Sequence, residues 1–384
     1  MSVVAISTTT RAEWGLLRPF GEALQQLGIE VRVLVSGTHL LDEYGLTIQE
    51  VQESELPIDA QIPILADGDD AEAEANTMSN ALRGYSRYFA EKRPDALLLL
   101  GDRYETLGVA EAAFLARIPI FHIHGGEVTE GAIDDAIRHC ITKLSTLHFT
   151  STEEYRKRVI QLGEDPSTVF NVGAVGVENA LNTNLLSVAE LSESLGIDLS
   201  QPYAVMTYHP VTLAHEDPIV KLEQLLLAVK ERPDILFVAT KANADAGGRS
   251  INDALARFAD QNDNFVLFDS LGSLRYLSAI SHAEFVIGNS SSGLLEVPAF
   301  QVPTINIGPR QKGRTRTKSV IDCAEGALSI SRAIDRALDQ EFRRGLEEMI
   351  NPYGRGDTSN QAAEIMARTL SHPVSLQKTF FDLQ

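Results

Sequence analysis

The sequence predicts an α/β protein with two doubly wound parallel-sheet domains. Short apolar runs alternate with longer helical patterns along both halves of the chain, which is typical of parallel sheets covered by helices on both faces. The length of 384 residues exceeds the usual size of one hydrophobic core and favours two domains of roughly 150–200 residues. Polar turns also follow several predicted strands, at the positions where open α/β sheets bind ligands.

The first half of the chain is predicted to form one sheet with helices between its strands. Pro94 and Pro119 mark the start of two strands, because the residue before a proline is disfavoured in a helix. The predicted strands are Val3–Ser7, Val31–Val35, Ile62–Leu65, Ala96–Leu100, Ile118–His122 and Leu147–Thr150. The predicted helices lie near Trp14–Leu27, Ala71–Lys92, Glu105–Ala116, Asp134–Leu144 and Glu153–Leu162.

The second half repeats the alternation, and Asn179–Gln201 is the predicted join between the halves. A last helix is expected near Asn360–Leu370. The predicted strands of this half are Tyr203–Thr207, Ile235–Ala239, Phe265–Leu267, Phe285–Ile287 and Thr304–Ile307. Its predicted helices lie near Asp217–Glu231, Arg249–Asn262, Ser273–Ser281 and Leu294–Phe300.

Composition excludes several classes of protein. The formal net charge of −20 argues against nucleic acid as a partner. No apolar run approaches the roughly 20 residues of a membrane span, so no membrane partner is expected. The first apolar run has no basic residues before it and is predicted to be a strand, not a signal peptide. Two cysteines, Cys140 and Cys323, cannot form a disulfide framework and fit a reducing cytoplasm.

The turn Gly288-Asn-Ser-Ser-Ser-Gly293 joins a predicted strand to a predicted helix and offers hydroxyls and backbone N–H groups. A helix N-terminus attracts anions because its N–H groups are unpaired and its dipole is positive there. Beyond the next strand, five cations lie within nine residues: Arg310, Lys312, Arg314, Arg316 and Lys318. Either feature alone is equally well explained as a Ser N-cap or a solvated loop. Together they predict a phosphate or diphosphate site.

Candidate acid and base groups follow the fourth and fifth predicted strands. Asp102 comes directly after the fourth strand, where a helix N-cap is the common alternative. The fifth is followed by His124-Gly-Gly-Glu127 and then Asp134. The two glycines let the backbone approach a ligand closely, and the acids are general acid/base candidates. The spacing of His122, His124 and His139 fits no common zinc pattern, so no metal site is predicted.

Two further strand ends carry polar residues that suit an anion. Arg11 lies in the polar turn after the first strand, and an N-cap turn explains this feature equally well. His209 ends the first strand of the second half, directly before Pro210. A histidine in a turn is more often structural, but this one is predicted to share an edge with the Ser-rich turn.

As a set, these stretches resemble the hydrolysing UDP-N-acetylglucosamine 2-epimerases of sialic acid biosynthesis and their relatives in legionaminic acid biosynthesis. The resemblance covers nearly the whole chain. It includes Thr10-Arg-Ala-Glu-Trp-Gly15, Leu100-Gly-Asp-Arg-Tyr-Glu105, His122-Ile-His-Gly-Gly-Glu127, Arg138-His-Cys-Ile-Thr-Lys-Leu-Ser145, Thr150-Ser-Thr-Glu-Glu-Tyr155, Val159-Ile-Gln-Leu-Gly163, Tyr208-His-Pro-Val-Thr212, Gly288-Asn-Ser-Ser-Ser-Gly293 and Arg310-Gln-Lys-Gly-Arg314.

The resemblance implies a GT-B fold, with two Rossmann-like domains facing across a cleft. Residues 1–178 would form the domain with the catalytic carboxylates, joined by a C-terminal helix and tail at 360–384. Residues 179–359 would bind UDP. A cytoplasmic homodimer or homotetramer without a cofactor is expected.

The reaction that the resemblance implies converts UDP-N-acetylglucosamine and water to N-acetylmannosamine and UDP, through elimination to a glycal and hydration. The residues that match catalytic positions are Asp102, Glu127, Asp134 and His124. The residues that match UDP-binding positions are Arg11, His209, Asn243, Tyr276, Ser290, Ser291, Glu296 and Arg310. Some relatives have Glu where this chain has His124, so His124 is expected to take over that proton transfer.

Three alternatives stay open at this point. The same reaction could act on UDP-2,4-diacetamido-2,4,6-trideoxyglucose, the substrate of the legionaminic acid branch. A non-hydrolysing epimerase is disfavoured because that family has a Thr-His-Arg-Arg-Glu run where this chain has Thr207-Tyr-His-Pro-Val211. A GT-B glycosyltransferase or a catalytically silent nucleotide-sugar binder is the third. The acids at two strand ends speak against a silent binder, which gains nothing from desolvated carboxylates.

Overall fold

The computed structural model describes residues 2–68, 70–129, 133–210, 218–242 and 248–383, without the side chains at positions 43 and 218. The contacts among these residues divide the chain into two compact units. The first unit contains residues 2–128, 133–178 and 356–383, and the second contains Thr129 and the described residues between 179 and 355. The chain therefore leaves the first unit after Glu178 and returns to it at Gly356.

The first unit is built on one parallel sheet. Its strands are β1 (Val3–Thr8), β2 (Glu30–Ser36), β3 (Ile58–Ile62), β4 (Ala96–Leu100), β5 (Ile120–Ile123), β6 (Leu147–Thr150) and β7 (Val169–Asn171). They pair in the order β3-β2-β1-β4-β5-β6-β7, and every pair is parallel. The strand order reverses between β1 and β4, so ligands are expected at the carboxyl ends of these two strands.

The second unit repeats this arrangement with one strand fewer. Its strands are β8 (Tyr203–Thr207), β9 (Leu236–Thr240), β10 (Phe265–Phe268), β11 (Phe285–Gly288), β12 (Thr304–Ile307) and β13 (Val320–Cys323). They pair in the order β10-β9-β8-β11-β12-β13, again all parallel. The switch point of this sheet lies between β8 and β11.

The described helices connect these strands. They are α1 (Arg11–Gln26), α2 (Ile48–Gln52), α3 (Ala71–Glu91), α4 (Tyr104–Leu115), α5 (Ile133–Leu144), α6 (Glu153–Gln161), α7 (Val175–Asn182), α8 (Val188–Leu195), α9 (Pro218–Lys230), α10 (Gly248–Ala259), α11 (Gly272–His282), α12 (Ser292–Leu295), α13 (Ala327–Leu338), α14 (Gln340–Arg344) and α15 (Thr358–Leu370). None of them is long and apolar enough to cross a lipid bilayer.

Both faces of each sheet are covered by helices, and this explains the continuous apolar runs of the central strands. In the first unit, α1 and α15 pack on one face, and α3, α4 and α5 pack on the other. In the second unit, α9, α10 and α13 cover one face, and α8 and α11 cover the other. Neighbouring residues of a strand face opposite sides, so Leu98 and Leu99 of β4 belong to different cores.

Helix α15 belongs to the first unit although it comes last in the chain. Ala362, Ala363 and Met366 are fully buried in the core beside α1. The start of the helix is held by Glu178, whose carboxylate accepts hydrogen bonds from the backbone N–H (2.7 Å) and the hydroxyl of Ser359. The two chain segments that link the units are thus tied together within the first unit.

The structure corrects several predicted elements. The third strand is Ile58–Ile62 and not Ile62–Leu65, because β3 is a half-buried edge strand without an apolar run. The edge strands β7 and β13 were not predicted for the same reason. The helix predicted at Leu294–Phe300 is a single α-helical turn, α12, followed by a 3₁₀ turn that contains Pro298. The start of the helix predicted at Asp217–Glu231 lies outside the described residues.

Glu13 fixes the start of α1 beside the switch point of the first unit. Its carboxylate accepts hydrogen bonds from the backbone N–H (2.7 Å) and hydroxyl (2.8 Å) of Thr9, and it completes a capping box with Thr10. The side chain is almost fully buried. Burial raises the pKa of Glu13 to about 7, with a further contribution from the neighbouring carboxylate of Glu105.

We expect the replacement Glu13→Gln to change how stability depends on pH. The folded-state pKa of about 7 lies above the ordinary value of 4.5, so folding favours the protonated carboxyl. That contribution to stability is complete below about pH 4.5 and is lost as pH rises to about 7. Over this range the free energy of unfolding of E13Q should rise by about 3 kcal/mol relative to the unmodified protein. Denaturant unfolding at a series of pH values measures this difference.

The matched control is Glu22→Gln, on the exposed face of the same helix, where Glu22 pairs with Arg18. This variant removes one carboxylate from the surface of the same helix and so controls for the loss of a negative charge. Parallel stability curves for E13Q and the unmodified protein would show that burial does not protonate Glu13.

Candidate active site

The switch point of the first unit places Asp102 at the end of β4. Gly101 precedes it with a backbone φ of +80°, a conformation that favours glycine. The side chain of Asp102 keeps 26% of its exposure. The predicted acid therefore lies at the edge of the sheet where ligands bind, within reach of solvent.

His122 supports the turn before Asp102. Its Nε2 lies 2.8 Å from the Gly101 carbonyl oxygen, and its Nδ1 lies 3.2 Å from the hydroxyl of Thr142. A carbonyl oxygen can only accept, so Nε2 carries the proton and Nδ1 accepts from Thr142. Burial lowers the pKa of His122 to about 3, so the ring is neutral. His122 thus has a structural role in this turn. Among the described residues, no cluster of metal-ligating side chains occurs.

The loop after β5 is held tightly against α6. Gly126 has a φ of +77°, and an added Cβ would overlap the carbonyl oxygen of Tyr155. The carbonyl of Gly126 accepts a hydrogen bond of 2.6 Å from Arg158. His124 itself adopts a left-handed conformation with φ +64°, which is uncommon for a residue with a side chain. This backbone turns both His124 and Glu127 inward.

Glu127 and His124 form a pair that can move a proton. The carboxylate of Glu127 is buried, and its Oε1 accepts a hydrogen bond of 2.6 Å from the hydroxyl of Ser151. The Nδ1 of His124 lies 3.5 Å from the same oxygen. The buried Nε2 of His124 has no hydrogen-bond partner among the residues that the structure describes. A carboxylate beside one ring nitrogen orients the imidazole and leaves the other nitrogen for acid/base chemistry.

Arg138 of α5 lies at the centre of these acids. Its guanidinium donates to the Asp102 carboxylate, to the Glu127 carbonyl oxygen (2.7 Å) and to the Asp135 carboxylate (3.2 Å). Only 3% of the side chain is exposed. Asp134 lies half-buried in the first turn of the same helix. The structure thus brings Asp102, Glu127 and His124 to one edge.

Further charged side chains lie in the turns after β4 and β1. The carboxylate of Glu105 is 1% exposed and is contacted at Oε1 by Arg103 (2.5 Å) and by Thr9 (3.2 Å). Its Oε2 is buried without a partner in the described part of the chain. Thr9 also contacts Glu13, so the turn after β1 and the turn after β4 share one polar network. Arg11 points elsewhere: it is largely exposed and pairs with Glu50 at 2.7 Å.

The second unit has a polar edge of a different kind. Gly288 ends β11 with a φ of +142°, and an added Cβ would overlap the carbonyl oxygen of Thr207 at the end of β8. The next residue, Asn289, is buried. Its side chain accepts from the N–H of His209 (2.7 Å) and donates to the carbonyl of His209 (2.8 Å). This reciprocal pair of bonds locks the two strand ends at the switch point together.

The structure differs from the predicted anion site in the length of the helix that follows the Ser-rich turn. The helix after the Ser-rich turn, α12, has only four residues, and Ser291 makes no side-chain capping bond to it. The argument from a helix dipole therefore does not hold, because a single turn sums few peptide dipoles. The turn itself is contacted by a neighbouring helix. Tyr276 of α11 donates its hydroxyl to Ser292 (2.8 Å), and burial raises the pKa of Tyr276.

The cationic loop returns to this turn. Arg310 (3.0 Å) and the buried Gln311 (2.9 Å) both donate to the backbone carbonyl of Asn289. Arg316 is used differently, because it pairs with Asp322 at 2.7 Å. Most of the predicted UDP-binding residues therefore lie on the segments that meet Asn289 or the turn that begins there. They are His209, Tyr276, Ser290, Ser291, Glu296 and Arg310. Asn243 lies outside the described residues.

Some residues that organise these edges were not predicted as site residues. They are Arg138 and Ser151 in the first unit and Asn289 and Gln311 in the second. The sequence held a signal for Arg138, because it lies three residues before Ile141 and therefore on the same side of α5 as a buried apolar residue. The sequence signal for Asn289 was weaker, since asparagine is common in any turn.

Comparisons with known proteins agree with this organisation. A profile of the UDP-N-acetylglucosamine 2-epimerase family matches residues 22–367. The chain is 40% identical to the Campylobacter jejuni "GDP/UDP-N,N'-diacetylbacillosamine 2-epimerase (hydrolyzing)", covering 99% of each chain. It is 38% identical to the Escherichia coli "Polysialic acid biosynthesis protein P7", covering 100% of this chain and 98% of that one.

Among solved structures, S. aureus MnaA in its structure with UDP matches with a TM-score of 0.77 at 18% identity, covering 100% of both chains. This likeness confirms the predicted fold, two Rossmann-like units of the GT-B type. The family profile covers most of the chain, and hydrolysing epimerases are among the similar proteins. The chain therefore belongs to the UDP-N-acetylglucosamine 2-epimerase family, among its hydrolysing members.

Proposed function

We propose that the protein converts UDP-N-acetylglucosamine and water to N-acetylmannosamine and UDP. The observation that carries this proposal is the presence of two different proton-transfer groups at one sheet edge. Asp102 is a carboxylate held by Arg138, and His124 is an imidazole whose Nε2 lacks a partner among the described residues. Epimerisation at C2 requires removal of a proton from one face of the sugar and its return to the other, which suits two separate groups.

Departure of UDP has to lead the reaction. The C2 hydrogen is not adjacent to a carbonyl group and is only weakly acidic, so negative charge must first develop on the diphosphate. Groups at the edge of the second unit can stabilise that charge electrostatically. We assign His209, Ser290, Ser291 and Arg310 to the diphosphate. A role of Arg11 at the diphosphate stays an expectation from the family resemblance, because the structure pairs this exposed arginine with Glu50.

The remaining nucleotide contacts are assigned to the same unit. We propose that Glu296 binds the ribose hydroxyls and that Tyr276 stacks on the uracil ring. The hydrogen bond from Tyr276 to Ser292 supports this assignment, because it couples the ring to the Ser-rich turn. Asn243 remains an expectation from the family resemblance alone.

The sugar chemistry is assigned to the first unit. Asp102 takes the C2 proton while UDP leaves from C1, with Asp134 as the second acid of this elimination, and a glycal with a C1–C2 double bond results. Water then adds its hydroxyl at C1 and releases its other hydrogen to solvent as a proton. His124 returns a proton to C2 from the opposite face, while Glu127 beside Nδ1 stabilises the charged ring and Ser151 orients Glu127.

A second candidate substrate is UDP-N,N'-diacetylbacillosamine, the 2,4-diacetamido-2,4,6-trideoxyglucose compound. The observation in its favour is the C. jejuni relative of that name, 40% identical over 99% of the chain. The chemistry at C1 and C2 is the same for both sugars, so the proposed residue roles apply to either.

Incubation with each of the two UDP-sugars in D₂O, followed by NMR, tests the proposal. We expect free UDP and a free manno-configured sugar that carries deuterium at C2, because the returned proton comes from exchangeable groups. The substrate with the larger kcat/KM is the physiological candidate. A UDP-linked manno sugar as the sole product would indicate a non-hydrolysing epimerase. Retention of the C2 hydrogen with transfer of the sugar to an acceptor would indicate a glycosyltransferase.

We expect the replacement Asp102→Asn to lower kcat by about 10²–10⁴-fold, the range for loss of a general base. The amide cannot accept the C2 proton but keeps the shape of the side chain. UDP affinity, measured by calorimetry, should change little because the UDP contacts are assigned to other residues.

A matched control is Asp165→Asn, an exposed residue that caps a 3₁₀ turn of the same unit. Its kcat should equal that of the unmodified protein. A large loss of UDP affinity in D102N, with kcat retained at saturation, would assign Asp102 to nucleotide binding.

A further inference from the structure

We propose that Arg138 is a positioning residue that acts through Asp102: its guanidinium keeps the carboxylate ionised and aims one oxygen at the C2 proton. This inference rests on the proposed function and extends it to a residue outside the predicted catalytic set. Three contacts of a buried side chain carry it.

The first step of the argument is the geometry of the guanidinium. One terminal nitrogen, Nη2, donates to Oδ2 of Asp102. The other, Nη1, donates to the Glu127 carbonyl oxygen at 2.7 Å and to Oδ1 of Asp135 at 3.2 Å. The three acceptors come from the turn after β4, the loop after β5 and the first turn of α5. One planar cation thus contacts all three segments that carry Asp102, Glu127 and Asp134 and sets the distances between them.

The second step is the charge balance. A guanidinium with 3% of its side chain exposed needs anionic partners, because an unpaired buried charge is strongly destabilising. Asp102 and Asp135 supply them. The same cation favours the ionised form of Asp102, and only that form can accept a proton from C2. Other charged or titratable groups at or next to this edge include His124, Glu127, Asp134, His139, Arg103 and Glu105.

The third step is the oxygen that remains. Since Nη2 engages Oδ2, Oδ1 of Asp102 is the atom assigned to the C2 proton. The planar guanidinium is itself held by its Nη1 contacts, so it presents Nη2 to Oδ2 of Asp102 from a fixed position, whereas a lysine ammonium is a single flexible point charge. A lysine at this position would keep the charge but could not donate to the Glu127 carbonyl, Asp102 and Asp135 at the same time. The geometry of the arginine, and not only its charge, is therefore required.

The experiment compares Arg138→Lys, Arg138→Met and the double variant Asp102→Asn with Arg138→Met. For each protein, kcat and KM are measured with the UDP-sugar that the unmodified enzyme turns over, and UDP affinity is measured by calorimetry. We expect R138K to lose about 100-fold in kcat, the cost of a misplacement near 1 Å, with KM and UDP affinity little changed. We expect the double variant to have a kcat within about tenfold of that of D102N, because the larger part of the effect of Arg138 passes through Asp102.

The control for lost stability is Arg156→Lys. Arg156 is a half-buried arginine of the same unit that donates to the carbonyls of Val169 (2.8 Å) and Pro166 (3.1 Å), away from the candidate site. Its replacement should lower the unfolding midpoint while kcat stays normal. If R138M does not fold, because it leaves two acids without their cation, R138K and the double variant still carry the test.

Three results would overturn the inference. One is a normal kcat in R138K. Another is a further loss of kcat well above about tenfold when R138M is added to D102N, which would show that most of the effect of Arg138 does not pass through Asp102. The third is a loss confined to KM or to UDP affinity. Failure of the unmodified enzyme to release UDP from either sugar is a separate result that overturns the proposed function itself.

Discussion

A buried guanidinium must be surrounded by acceptors, and in the first unit this requirement shapes the whole polar edge. Arg138 lies on the face of α5 that packs toward the sheet, so its charge cannot reach bulk water. Its partners have to come from the segments that end at the same edge, and these are the turn after β4, the loop after β5 and the start of α5. Positioning of the acids follows from the need to neutralise one cation.

The switch point of the second unit is organised by a neutral side chain. Asn289 joins the ends of β8 and β11 by two hydrogen bonds to His209. Its own carbonyl is capped by Arg310 and Gln311. Among the described residues, the bonds that hold this edge use backbone groups, two side-chain amides and the Arg310 cation. The two units share a strand order but differ in chemistry, because one switch point is organised by a cation and acids and the other by an amide.

The sequence was a good guide to the elements that pack on both faces. The central strands β1, β4, β8 and β11 were predicted nearly to the residue, since strands buried on both sides read as apolar runs. The edge strands β3, β7 and β13 were misplaced or missed, since only one residue of each is buried. The residue types of the site could also be predicted, because strand ends and glycine turns mark the edge where ligands bind.

The chain order of apolar and polar residues therefore determined the two sheets, their central strands and the positions of Gly101, Gly126 and Gly288. Only the tertiary structure decided which side chains meet at those turns. Arg138 lies 36 residues from Asp102, and Asn289 lies 80 residues from His209. Such pairs leave no local periodicity, because they form only when separate crossover connections return to the same edge. Whether a polar residue becomes a buried partner or a solvated one depends on what packs against it, and that is a property of the folded chain.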